Sequence, residues 1–70
     1  MTMTEKIKIL LIKRKLTVKD LADRLGCSSQ NLSGKFKRDN FSEKELEEIA
    51  AALDVEYYGN FKIPETGEIV

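Results

Sequence analysis

Between Thr17 and Arg38 the chain reads TVKDLADRLGCSSQNLSGKFKR, and few conformations suit this stretch. Thr17 is a strong helix N-cap, and Asp20, three residues on, can close a capping box. Leu16 and Leu21 sit where a hydrophobic staple would join them. Leu21, Ala22 and Leu25 share one helical face, with Ala22 small enough for a second helix to come close. Gly26 ends this helix, because glycine takes a left-handed backbone at little cost. Ser28 is a second N-cap. Leu32 and Phe36, four residues apart, give the second helix one narrow apolar stripe. The stretch therefore predicts two short helices joined by a tight turn, the second pinned along one side only.

The opposite side of that second helix carries Ser29, Gln30, Ser33, Gly34 and Lys37. It is uncharged at its N-terminal end and basic at its C-terminal end, where Lys35, Lys37 and Arg38 cluster. A helix that enters the major groove of DNA needs this order: hydrogen-bonding groups for base edges, then cations for phosphates. A phosphate beside Ser28 suits the helix N-terminus. Gln30 can bond adenine with both ends of its amide. Asn31 lies nearer the cap and either braces it or reads a base. Ser33 is expected at a phosphate or sugar. Gly34 in mid-helix costs about 1 kcal/mol relative to Ala, a cost that close approach to a groove would explain.

The flanking sequence completes a helical bundle. Thr4 is expected to cap a first helix running to about Lys15, with Ile7, Leu10 and Leu11 facing the core. Ile9 and Ile12 widen its apolar surface, which the tail or another subunit would share. Lys13, Arg14 and Lys15 suit a solvated helix C-terminus. Arg38-Asp39-Asn40 is a turn. Ser42 and Glu45 form another capping box, Phe41 staples to Leu46, and Leu46, Ile49, Ala50 and Leu53 recur at helical spacing.

After Asp54 the pattern changes. Val55 to Ile63 is rich in β-formers, and Pro64-Glu65-Thr66-Gly67 is a turn before Ile69 and Val70. The expectation is a mainly α fold, four helices over residues 1–54, with a C-terminal β-hairpin over 55–70 belonging to the same domain. A short hairpin is marginal alone. It must pack on the helices or pair with a second copy, and Tyr57, Tyr58, Phe61 and Ile63 are the expected contacts of a two-fold dimer.

The residues from Leu21 to Phe36 resemble the Cro and phage-repressor-like (Xre-type) helix-turn-helix family. The match is Leu21-Ala22, three residues, Gly26, one residue, Ser28, three residues, Leu32-Ser33, then Phe36, and the likeness extends over about residues 4–54. The resemblance implies a four-helix lambda-repressor-like core and a small transcriptional regulator, a repressor or Cro-like switch of a bacterium, phage or mobile element. It implies base contacts by Ser29 and Gln30, with Ser33 and Gly34 one turn on. The family often places Gln directly after the first cap, where it braces the reading helix and touches a phosphate. This chain has Val18 there, which leaves Thr17 and Lys19 as candidates for that contact. The family's fifth helix has no counterpart in the sequence.

Taken together, the expected DNA-contacting set is Thr17, Lys19, Ser28, Ser29, Gln30, Asn31, Ser33, Gly34, Lys35, Lys37 and Arg38. The partner is double-stranded DNA, read as a palindromic operator by a homodimer.

Composition bounds the alternatives. Net charge is zero, but residues 1–38 hold ten Lys or Arg against three acids, a net +7, and residues 39–70 hold two against nine, a net −7. Such asymmetry points to one basic face. With one Cys and no His, a disulfide framework, an ordinary zinc site and an enzymatic acid–base pair are not expected, nor is any cofactor. Cys27 is expected as a small core residue. No apolar run is long enough for a membrane span, and the N-terminus lacks a signal-peptide pattern; the cytoplasm is the expected location. The competing reading is a protein-interaction module of the same fold, antitoxin-like or regulatory, in which the acidic half and the tail matter most.

Overall fold

Four hydroxyl side chains start the four helices. In a computed structural model that describes residues 2–70, Thr2 caps α1 (Met3–Arg14), Thr17 caps α2 (Val18–Leu25), Ser28 caps α3 (Ser29–Arg38) and Ser42 caps α4 (Glu43–Ala52). Each hydroxyl oxygen accepts the backbone N–H three residues on, at 3.1 Å, which satisfies one of the donors a helix start leaves free. Glu5, Asp20 and Glu45 return a bond to the cap backbone, so three of the starts are complete capping boxes.

The first cap corrects an expectation. Thr2, not Thr4, begins α1, because Glu5 stands three residues after Thr2 and completes the box. Thr4 is instead buried within the first turn and bonded to the end of α3. The helix ends match their residues better. Gly26 closes α2 with φ 73°, the left-handed conformation expected of it.

One core joins the four helices to the tail. Ile7 and Leu10 from α1, Leu21 from α2, Leu32 from α3, Ile49 and Leu53 from the α4 end, and Phe61 from the tail are fully buried. Ala22 is buried as well, and Phe41 packs its ring 5.9 Å from that of Phe36. Ile12 faces away from this core and is 76 % exposed.

The tail is a three-stranded antiparallel sheet rather than the expected single hairpin. Its strands are β1 (Glu56–Tyr57), β2 (Phe61–Ile63) and β3 (Glu68–Ile69), in that spatial order. The apparent run Val55 to Ile63 reverses at Gly59, whose φ of 76° glycine adopts freely. The Tyr58 N–H closes this turn on the Asn60 carbonyl at 2.8 Å. The turn at residues 64–67 forms where expected, with the Gly67 N–H donating to the Ile63 carbonyl at 2.8 Å. Tyr57 pairs with Phe61, and Ile63 with Glu68.

This placement changes the expected subunit contacts. Phe61 is 0 % exposed and Ile63 is 6 % exposed, both inside the core of the single chain. Neither side chain is available to a second subunit without unpacking that core. Tyr57 is half-buried, its ring 5.2 Å from that of Phe61 and its hydroxyl donating to Glu43. Tyr58 is the one of the four left fully exposed.

Candidate nucleic-acid interface

The geometry of α3 follows from which two residues it buries. Leu32 is 1 % and Phe36 8 % exposed. With 100° per residue, this stripe turns Gln30, Gly34 and Lys37 to the opposite side, with Ser33 and Arg38 flanking them. Ser29, Gln30, Asn31, Ser33, Lys37 and Arg38 are all exposed. The expected reading face is therefore open and continuous, and neither Gln30 nor Ser33 turns inward.

The N-terminus of α3 also differs from the others. The first turns of α1, α2 and α4 each carry an acid, whereas α3 has none. Ser28 spends its side chain on the Asn31 N–H at 3.1 Å. The positive end of the α3 dipole thus meets no carboxylate from its own helix, an arrangement that favours an external anion.

Gly34 does not stand in open space. A Cβ there would lie 3.3 Å from an Arg38 guanidinium nitrogen. The glycine leaves a flat patch across which the Arg38 side chain lies, one turn back along the helix.

The positive half of the chain is only partly free. Arg14, expected as a solvated cap, donates from Nε to the Leu53 carbonyl at 2.9 Å and from Nη2 to the Asp54 carbonyl at 2.7 Å. It also meets Glu65 at 2.6 Å, which holds the Glu65 carboxyl below its usual range. Arg24 donates to the Ala52 carbonyl at 2.8 Å. The last turn of α4 has no base of its own, and these two arginines supply the donors that its carbonyls lack. Lys13 pairs with Glu68 at 2.8 Å. Part of the sequence's charge asymmetry thus binds its two halves together.

Lys35 is the clearest departure among the α3 cations. It points toward α4 and pairs with Glu45, on the flank away from Lys37. The Lys35 ammonium, helped by the Ser42 N–H, lowers the Glu45 pKa to about 2. Beside this pair lies a cavity of about 150 Å³ that Cys27 helps to line, half-buried as a small residue beside the turn. Lys19 pairs with Asp23 at 3.2 Å, both well exposed, and surface pairs of this kind contribute little and exchange readily. Thr17 is engaged by Asp20, whose carboxylate accepts the Thr17 N–H at 2.8 Å; that bond and the Thr17 hydroxyl keep the Asp20 pKa low.

Two residues escaped the sequence reading. Asp39, taken only as part of a turn, has φ 50° at the C-cap of α3, and its Oδ1 accepts both the Thr4 hydroxyl (2.7 Å) and the Thr4 N–H (2.8 Å). Those bonds lower the Asp39 pKa. Lys8 lies over the Phe36 ring, 5.8 Å from its centroid. The only hint of Lys8 was its place on the polar side of α1; its meeting with α3 required the fold.

Two comparisons found nothing: no curated protein and no solved structure matches the chain. A family model does match. It is that of the Cro/C1-type HTH DNA-binding domain, and it covers residues 6–57.

Proposed function

Because the chain belongs to the Cro/C1-type helix-turn-helix DNA-binding family, we propose that it is a sequence-specific transcriptional repressor that reads the major groove with α3. Proteins of this domain family are DNA-binding regulators and are typically not enzymes. Among the described residues no helix is long and apolar enough to cross a membrane, and the proposed setting is the cytoplasm.

The observation that carries the reading is the two-sidedness of α3: Leu32 and Phe36 buried, Gln30, Ser33 and Lys37 exposed along the other side. Gln30 and Ser29 read base edges. Asn31 supports them from the first turn, and Gly34 leaves room for the Arg38 guanidinium to lie along the face. Ser28, with the free α3 N-terminus, Thr17, Lys19, Ser33, Lys37 and Arg38 hold phosphates. Lys35, neutralised by Glu45, drops out of the phosphate-holding set.

The repressor acts as a two-fold dimer on a palindromic operator. Tyr58, 75 % exposed, and the edge strand β3, with Ile69 60 % exposed, are the tail surfaces that a second copy can use. Phe61 and Val70 exchange both backbone bonds. The neighbouring pair Lys62–Ile69 is then a non-bonded one, and the Ile69 N–H and C=O turn to the open edge.

Selection of bound duplexes from a random pool tests the whole reading. The expected product is a palindrome with half-sites about 34 Å apart. Enrichment of a single unrepeated half-site would remove the dimer and leave the reader. No enrichment, with binding absent or indifferent to salt, would favour a protein-interaction module on the same fold.

A further inference from the structure

An open cleft of about 280 Å³ lies between α1, the start of α2 and α3, lined by Lys8, Val18, Ser33, Phe36 and Lys37. We propose that this cleft seats one phosphodiester of the DNA backbone together with its sugar, and that Lys8 is the clamp on it. The inference rests on the DNA-binding reading above and adds to it a contact from α1.

The chemistry of the walls selects the occupant. Two ammonium groups, which only donate, and one hydroxyl, which can donate, suit an anion, and no carboxylate lines the cleft. Lys13, Arg14, Lys19 and Lys35 each meet an acid, whereas among the described residues neither Lys8 nor Lys37 has a carboxylate within ion-pair distance. The floor, Val18 and Phe36, is apolar. A free inorganic anion has no use for such a floor; the carbon face of a deoxyribose does.

Position and order support the same occupant. Ser33 and Lys37 belong both to the cleft and to the exposed side of α3. A helix lying in the groove brings the backbone that borders the groove alongside that side. Lys8 is held in advance, its Nζ 5.8 Å from the centroid of the Phe36 ring. Cation–π attraction biases this exposed side chain toward the ring and so lowers the rotamer freedom it loses on binding. Phe36 is itself buried in the core, so the ring that attracts Lys8 has a fixed place on α3. Val18 occupies the position directly after the Thr17 cap, and it shapes the floor without supplying a donor.

The test is a salt series on the full chain with a selected duplex and a random duplex, comparing Lys8→Gln, Lys8→Arg, Lys37→Gln and, as control, Lys44→Gln on the exposed side of α4. Loss of one phosphate contact per subunit flattens the slope of log affinity against log salt by about 0.9 for each copy bound, which at 0.1 M salt corresponds to about an eightfold loss per copy. Lys8→Gln is expected to show this on both duplexes alike, with Lys8→Arg and Lys44→Gln near wild type and the melting temperature of Lys8→Gln little changed. A duplex with one neutral methylphosphonate at the seated position should bind wild type and Lys8→Gln equally. If Lys37→Gln loses affinity while Lys8→Gln keeps both affinity and slope, the clamp is overturned and the DNA-binding reading stands. A loss confined to the selected duplex, or an equal loss in Lys8→Arg, also overturns the clamp. If wild-type protein binds neither duplex at 50 mM salt, the DNA-binding reading fails and the clamp with it.

Discussion

Thr4 and Asp39, thirty-five residues apart, are joined twice: the Asp39 Oδ1 accepts the Thr4 hydroxyl at 2.7 Å and the Thr4 N–H at 2.8 Å. The same hydroxyl lies 3.0 Å from the Phe36 carbonyl. The start of α1 is thereby tied to the end of α3, and a carboxylate sits where the α1 dipole favours one. Thr4→Val keeps the shape and removes the hydroxyl, so the Asp39 carboxylate keeps only the Thr4 N–H and the Phe36 carbonyl only the Asp39 N–H. The expected loss is about 1–2 kcal/mol in chemical denaturation, with DNA affinity reduced only as far as unfolded protein accumulates.

Gln30 and Lys37 should fail differently. Gln30→Ala is expected to cost about 1–3 kcal/mol on the selected duplex and little on random DNA, relaxing one base preference. Lys37→Gln is expected to weaken both duplexes equally and flatten the salt slope by about one for each subunit bound. Equal losses on both duplexes for Gln30→Ala would remove its base-reading role.

The Lys35–Glu45 pair predicts an acid limit. The Glu45 pKa is lowered from 4.5 to about 2 in the folded chain, so the unfolded chain binds its proton first as pH falls. The stabilisation is complete above about pH 4.5 and is lost on descending toward pH 2. Glu45→Gln should flatten the decline of melting temperature across that window. Lys35→Gln should lower stability at neutral pH while changing the salt slope of DNA binding less than Lys37→Gln does.

The tail offers a separation between folding and assembly. Phe61→Ala empties a fully buried aromatic site and should cost about 3–5 kcal/mol, comparable to what a core of this size supplies; circular dichroism should show an unfolded chain at 25 °C. Ile69→Lys places a charge on an exposed edge and should leave the helical signal intact while sedimentation shifts from dimer to monomer. A wild-type protein that sediments as a monomer at micromolar concentration would remove the dimer altogether.

Local grammar was sufficient for the helix-turn-helix. Thr17 with Asp20, Gly26, Ser28, and Leu32 with Phe36 act within one helical turn of each other, so their spacing alone states where the helices start, stop and bury a stripe. The four-helix core and the open side of α3 were legible for the same reason. The Gly59 reversal was hidden because its flanks are β-formers, and a lone glycine does not distinguish a turn from a strand irregularity. Thr4 was misplaced because two threonines compete for one cap, and only the long-range pull of Asp39 and the Phe36 carbonyl takes Thr4 into the core.

What the order of residues determined without help is therefore α3 itself, since caps and a period of 3.6 are local properties. Tertiary structure alone decided which charges stay available. Lys35 turns to Glu45, Arg14 and Arg24 turn to the end of α4, and Lys8 comes to rest over Phe36, because each partner lies on another element and Coulomb attraction acts across space, not along the chain.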